Sequence, residues 1–345
     1  MSSKDFKLGV LMVAAIVLVP NLFQAIVACL GLGNVSMGQK LLLICALNAG
    51  GALAGPSLFG MKGPSSKSRY TVLLGLAGAA AATYFLAVVG LGNQAGFGAG
   101  FAESIDSTVS PAILAFVACA AGTAAISRRL AGGVLFSFLG LATVSAAVIT
   151  GSFNGFPHFL ATGGYLVPFA LIGAFGTPLS IWLVRRLRHD YGADLGYCLA
   201  IRYGVVAIIY LAVAILFFRG QILLSTPFIV ALAAAFVTGA VFLSLAYYAA
   251  VNLHSDWGSV VALSIVPLAA IAIEGILHAL RLNQSNLPFD NPLLWSGGLV
   301  SALGIWLMRS QPKVDETDTS NKRPKLHHKN RKRALRSREP SSVSR

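Results

Sequence analysis

The sequence predicts an all-α membrane protein, a bundle of ten transmembrane helices arranged as two inverted five-helix repeats. Three observations lead to this fold class. Hydrophobic residues make up 56% of the chain and charged residues only 11%, and the mean hydropathy is +0.75, which is too apolar for a surface in contact with water. Ten apolar runs are long enough to cross a bilayer. The last five of them repeat features of the first five.

Each apolar run has the length of about 17 to 25 residues that a helix needs to cross the hydrocarbon layer. The predicted spans are 8–32, 40–60, 70–92, 108–126, 131–150, 164–184, 195–218, 226–250, 258–280 and 292–308. They divide the chain into an N-terminal segment 1–7, a first repeat 8–150, a loop 151–163, a second repeat 164–308 and a tail 309–345.

Lysine and arginine in short loops indicate orientation, because they favour the cytoplasmic side. With the N-terminus inside, twelve of them fall on the cytoplasmic side and three, Lys40, Arg219 and Arg281, on the other. One missed or extra span would scramble this division, so we expect both termini in the cytoplasm and an integral protein of the bacterial inner membrane. The loop 151–163 is then non-cytoplasmic, as is the segment before span four that includes Asp106.

The tail carries about half of the net charge of +14, because Gln311 to Arg345 holds 11 of the 26 Lys and Arg residues and four of the 12 acids. It has no core-forming pattern and is predicted to be disordered. We therefore expect no nucleic-acid partner. The bilayer is the expected partner, either through contact of the tail with anionic lipid headgroups or with the tail as a solvated topology anchor, which we favour.

An internal repeat relates the two halves of the chain. Four correspondences occur in the same order: Pro20 with Pro178, Asn48 with Arg202, Pro111 with Pro267, and Gly133 and Gly140 with Gly297 and Gly304. Because each half has five spans, an odd number, the halves enter the membrane from opposite sides. Such inverted repeats allow one central site to open alternately to either face.

These halves resemble the drug/metabolite transporter superfamily of EamA type over about residues 8–308. The resemblance lies in the Pro-bearing helix, short turn and Gly-x6-Gly helix that end each half, and in Arg202 in the second span of a half. It implies a ten-helix transporter. One departure leaves the subfamily open: many members carry an acid before the turn between the fourth and fifth spans, and "ISRRLAGG" and "HALRLNQ" do not.

Glu274 lies in span nine, about 24 Å from the cytoplasmic start of that helix, where an ionised side chain is energetically costly. A carboxyl at this depth either faces a watery cavity or takes up a proton, and His278, one turn further on, can share that proton. We predict that Glu274 contacts substrate or couples transport to protons together with His278. The alternative is a protonated residue that is hydrogen-bonded between helices. Pro267 is expected to break a backbone hydrogen bond and loosen the same span.

Arg202 is the second predicted substrate-binding residue, roughly 10 Å from the cytoplasmic start of span seven. The alternative is a snorkelling anchor or a structural tie to backbone carbonyls. We expect no direct ion pair with Glu274, because the two depths differ by about 13 Å. Weaker candidates for the cavity lining are Asn21, Gln24, Asn48, Tyr84 and Tyr247, with Trp182 and Tyr248 among the aromatics for which simple packing is the alternative.

The predicted function is secondary transport of a small polar or amphipathic metabolite by alternating access. No Walker motif is present. One alternative is a membrane-embedded enzyme for a lipid-linked substrate, but such chemistry uses clustered acids, a histidine pair or an activated nucleophile, whereas His158 is alone and His254 and Asp256 lie in a loop. We therefore expect no enzyme, cofactor or metal. A third reading is a sensor or scaffold that uses the tail. Substrate, direction and coupling ion stay open.

Overall fold

The computed structural model describes residues 3–29, 35–65, 69–85, 99–120, 127–152, 154–162, 164, 166–252, 264–282 and 287–308, and these contain helices and no strands. The helices are α1 Ser3–Cys29, α2 Met37–Phe59, α3 Arg69–Phe85, α4 Ala99–Ala120, α5 Arg128–Ser152, α6 Phe156–Thr162, α7 Leu166–Tyr191, α8 Leu195–Phe218, α9 Thr226–Thr238, α10 Ser244–Asn252, α11 Val266–Ala279 and α12 Pro292–Met308. A π-helical turn, Gly239–Leu243, joins α9 to α10.

The prediction of an all-helical membrane protein is confirmed at this level. Five helical stretches of the described chain are long and apolar enough to cross a bilayer: Met37–Phe59, Arg128–Ser152, Val167–Tyr191, Leu195–Gln221 and Thr226–Asn252. Their outward faces expose large apolar side chains such as Leu135, Leu216 and Phe217. An exposed apolar surface of this extent is expected where a protein contacts lipid rather than water.

Two helices, α8 and α12, have the predicted bounds, whereas α4 begins much earlier than predicted, at Ala99 rather than at 108. Its first turns carry acids and glycine, which look like a loop in the sequence. In the structure Asp106 is buried within α4, so the assignment of Asp106 to an outer loop was wrong. The position of Pro267 also differs from the prediction that it breaks a backbone hydrogen bond within its span. Pro267 lies in the first turn of α11, where a missing N–H breaks no helical hydrogen bond.

Loop contacts define the two ends of the bundle. At one end, called here the Lys62 end, Asp194 at the start of α8 accepts a hydrogen bond from the Lys62 backbone N–H (2.9 Å) and donates its own N–H to the Lys62 carbonyl (2.8 Å). At the other, the Ser36 end, Ser36 at the start of α2 donates its hydroxyl to the Gln221 carbonyl (2.5 Å). The two ends are separated by the whole length of α2, roughly 35 Å.

The most extensive helix contacts join the first half of the chain to the second. The main pairs are α5 with α12, α2 with α8, α3 with α7, α4 with α11, α3 with α8, α2 with α9, α4 with α7, α1 with α10 and α1 with α11. In the predicted repeat, α1 corresponds to α7, α2 to α8, α3 to α9 and α10 together, α4 to α11, and α5 to α12. Replacing every helix in the list by its counterpart gives the same set of pairs.

The glycines that the sequence matched to each other pack together between α5 and α12. A Cβ at Gly133 would lie 2.7 Å from the Gly304 carbonyl oxygen, and one at Gly297 would lie 2.9 Å from that of Gly140. The two helices are therefore antiparallel and their backbones nearly touch, as small residues allow in membrane helices. Thr108 of α4 joins this contact through a hydrogen bond to Ser301 (2.7 Å).

Candidate functional site

Arg202 lies in the interior of the bundle, with only 6% of its surface exposed. Its Cζ atom is 4.4 Å from the centre of the Tyr203 ring and 4.2 Å from that of the Tyr247 ring, which is the geometry of cation–π contacts. Within the described chain no carboxylate forms an ion pair with Arg202, and its Nε has no hydrogen-bond partner. The guanidinium is thus held by aromatic rings rather than by an acid.

Two glycine-rich stretches of the sequence make room for this arginine. A Cβ at Gly78 of α3 would lie 2.9 Å from Arg202 Cγ, and one at Gly51 of α2 would lie 3.0 Å from the Tyr203 ring. Because neither glycine has a side chain, α2 and α3 approach α8 closely enough to bury its polar face. The runs "AGGALAG" and "GLAGAAAA" therefore position the site, although neither supplies a polar group to it.

The α10 helix carries two buried hydroxyl groups, one of them on the Tyr247 ring that contacts the arginine. Tyr247 and Ser244 are three residues apart and so lie on one face of α10, and both are buried without a hydrogen-bond partner for their side-chain oxygens in the part of the chain described. Ser244 directly follows the π-helical turn. Such turns are frequent at functional sites, and buried polar atoms without partners call for a bound water, ion or ligand.

Asp106 of α4 is an acid of this region that the sequence analysis missed. Its side chain is 9% exposed and its charge acts on Arg202 without an ion pair. Ser110, one turn further on, has its hydroxyl 3.3 Å from Asp106 Oδ1 and 3.0 Å from the Ala174 carbonyl of α7. A signal for this helix was present: Phe101, Ile105 and Val109 recur every four residues, and all three are buried.

Glu274 and His278 occupy different surroundings. Glu274 is completely buried in α11, whereas His278 is exposed and packs against Phe289, with 5.6 Å between ring centres. Glu274 does not pair with Arg202, as the depth estimate anticipated. The shared proton between Glu274 and His278 stays a prediction.

The remaining candidates divide into four groups. Tyr247 lines the Arg202 site, as described above. Asn48 is buried, but its side-chain amide donates to the Ile44 carbonyl of its own helix (2.8 Å). The side chains of Asn21, Gln24 and Tyr84 lie outside the described residues, as do His254 and Asp256. Trp182 packs edge-on against Tyr70 and has no contact with Arg202 in the described structure.

A cavity of 310 Å³ opens at the Lys62 end of the bundle. Arg188, His189 and Asp194 contribute its polar lining, and Phe59 and Tyr248 its aromatic lining. These two rings are stacked, with 5.4 Å between their centres. Because Tyr248 follows Tyr247 in α10, the cavity and the Arg202 site are neighbours along one short helix.

Comparison with known proteins finds no family model, curated protein or solved structure that matches the chain. Within the described ranges, no group of three or more His, Cys, Asp or Glu side chains has the arrangement that holds a metal ion. What the site offers is a buried cation whose Nε has no hydrogen-bond partner in the described structure, two phenol rings, a serine hydroxyl and one nearby carboxyl.

Proposed function

We propose that this protein is a secondary transporter that moves a small polar or amphipathic metabolite by alternating access, with an anionic group of the substrate held by Arg202. One observation carries the proposal: Arg202 is buried where helices of both halves meet, and no acid of the described chain forms an ion pair with it. A buried charge without an ion-pair partner is costly in a membrane protein. A substrate anion that binds there supplies that partner.

The geometry favours a carboxylate or a phosphate ester as the anionic group. The N–H groups of the guanidinium form a planar fork, and its Nε has no hydrogen-bond partner in the described structure. That fork matches two oxygens of a carboxylate or phosphate. The free hydroxyls of Ser244 and Tyr247 can bind further polar atoms of the same ligand.

Reciprocal contacts support two inverted halves, an arrangement that many alternating-access transporters use. Ser36 and Asp194, 158 residues apart, each begin the second helix of their half, and each holds the loop that follows the second helix of the other half. The paired glycines of α5 and α12 are reciprocal in the same way. An offset of 158 matches Arg202 to Ile44 rather than to Asn48, so in this alignment only the second half carries the charge.

The finer topology belongs to the same proposal: ten spans, both termini in the cytoplasm of a bacterium and membership of the EamA-type superfamily. The Lys62 end carries Lys62, Arg186 and Arg188 on loops or helix ends that lie together, which agrees with a cytoplasmic face. The tail 309–345 lies outside the described residues.

Uptake into proteoliposomes tests the proposal. Labelled lactate, succinate, glutamate and glycerol 3-phosphate represent monocarboxylates, dicarboxylates, zwitterions and phosphate esters, and each is measured with and without a pH gradient. We expect saturable uptake of at least one of the four by the full-length protein, and none by the Arg202→Gln variant. Equal uptake by protein-free vesicles for all four anions contradicts the proposal.

A further inference from the structure

Asp106 is a buried acid near the Arg202 site, and the binding of an anion to Arg202 does not by itself explain why an acid lies there. The two side chains interact electrostatically but do not form an ion pair in the described structure. With both ionised, the region is neutral overall. An anion that binds Arg202 adds one negative charge to a weakly solvated interior, where net charge is costly.

A proton that enters with the anion restores neutrality. Arginine cannot supply the change, because its guanidinium is already protonated and does not titrate in proteins. Asp106 can, because its carboxylate accepts one proton. Once the anion has neutralised Arg202, the attraction that favoured the ionised form of Asp106 is gone, and protonation follows.

The hydrogen bonds of Ser110 are compatible with the uptake of a proton by Asp106. Its hydroxyl carries one hydrogen but lies within reach of two acceptors, Asp106 Oδ1 at 3.3 Å and the Ala174 carbonyl at 3.0 Å. If Asp106 is ionised, the two acceptors compete for that hydrogen. If Asp106 is protonated, it donates to Ser110 while Ser110 donates to Ala174, so every group is satisfied. The protonated form therefore ties α4 to α7.

We propose that Asp106 takes up one proton whenever an anion binds Arg202, so that anion and proton cross the membrane together without net charge. The inference rests on the proposed transport function. The proton enters from the aqueous side that supplies the anion, remains on the Asp106 carboxyl while the site is loaded, and leaves with the anion on the other side.

Other titratable groups lie on α4 and on the helices packed against it. Arg202 and Tyr247 are the groups whose charges act on Asp106. The α11 helix carries the buried Glu274 and the exposed His278, and α5 carries the exposed Arg128 and Arg129. The start of α1 carries Lys4, Asp5 and Lys7, and the titratable residues of α7 lie between Arg185 and Tyr191, about 16 Å or more beyond Ala174 along that helix. The α12 helix carries no titratable residue, and α4 itself also carries Glu103 and Cys119.

The first experiment needs no substrate. Infrared difference spectra of the full-length protein follow the carbonyl stretch of protonated carboxyl groups against pH, with Asp106→Asn identifying the Asp106 band. We expect Arg202→Gln, which mimics neutralisation by an anion, to move the loss of this band upward by about one pH unit or more. Glu274→Gln, the matched control, leaves it in place. An unchanged titration in Arg202→Gln, or an Asp106 band that is absent at every pH, overturns the inference.

The second experiment measures coupling with those of the four anions that the wild type takes up. Asp106→Asn should lose accumulation driven by a pH gradient but keep exchange of labelled for unlabelled anion, whereas the exposed control Asp190→Asn keeps both. Full gradient-driven accumulation by Asp106→Asn, or its loss in Glu274→Gln alone, contradicts the role of Asp106. If the wild type takes up none of the four, the proposed function fails and the infrared titration decides the inference by itself. A melting temperature for each variant identifies any that fails to fold.

Discussion

Arg202 is held by two tyrosine rings and by no acid in the described chain, and this determines how substitutions there behave. A residue that served as a surface anchor would lie at a helix end and reach water, whereas Arg202 is buried about two turns into α8. Its Cζ lies over both tyrosine rings and its Nε has no hydrogen-bond partner in the described structure, so an N–H of the planar fork is available to a ligand. The shape of the group, and not only its charge, is therefore what the site exploits.

Replacing Arg202 with lysine should separate shape from charge. Lysine keeps the charge but loses the planar fork, so one charge-assisted hydrogen bond to the anion is lost, at a cost of about 1.5–3 kcal/mol. We expect roughly a tenfold or greater rise in the substrate concentration needed for half-maximal uptake. Expression and melting temperature should stay normal, as in the exposed control Arg186→Lys. Wild-type uptake kinetics in Arg202→Lys would favour the anchor interpretation instead.

Glu274 behaves as a structural residue if Asp106 carries the proton. It is fully buried, and glutamine reproduces its size and most of the hydrogen bonding of its protonated form. We therefore expect the melting temperature of Glu274→Gln in detergent to be close to that of the wild type. Glu274→Leu removes every polar interaction of the side chain and should lower stability by about 1–3 kcal/mol. Equal melting temperatures for the leucine and glutamine variants would show that the carboxyl contributes nothing to packing.

At the scale of helices, the contact between α5 and α12 depends on glycine at particular positions. Gly133 touches the opposing backbone, whereas a Cβ at its neighbour Gly132 would meet nothing within 4 Å. Gly133→Ala should destabilise the protein by about 1–3 kcal/mol through overpacking. Gly132→Ala, the matched control, should be neutral or stabilise α5 by up to about 1 kcal/mol. Thermal unfolding in detergent compares them, and a Gly132→Ala variant as damaged as Gly133→Ala would contradict the packing.

The sequence predicted those helices best whose apolar runs end at clear loop signals. For α8, the residues before Leu195 and after Phe218 interrupt the apolar run, and the predicted and observed bounds coincide. For α4, the first turns carry Asp106 and glycine, so a search for apolar runs began the helix too late. Whether such polar residues are buried depends on what neighbouring helices offer. Here Ala174 and Arg202 come from distant parts of the chain, which a single sequence does not reveal.

At the scale of the whole molecule, the loop contacts make the predicted topology testable with cysteine labelling. In a variant without other cysteines, an impermeant reagent added outside intact cells should label Leu223→Cys and Asn154→Cys. It should not label Met61→Cys or His189→Cys, which lie at the Lys62 end. All four positions are exposed, so accessibility differs only by side of the membrane. External labelling at the Lys62 end would refute the cytoplasmic orientation of that end.

The accessibility of Ser244→Cys from each face tests alternating access most directly. Ser244 is buried beside Tyr247, and its hydroxyl has no partner in the described structure, so a cysteine there reports on the Arg202 site itself. With a small impermeant thiosulfonate, right-side-out and inverted vesicles should both be labelled, and an anion from the uptake set that the protein transports should slow both reactions. Labelling from one face only, or equal rates with and without that anion, would contradict a central site that opens alternately to the two sides.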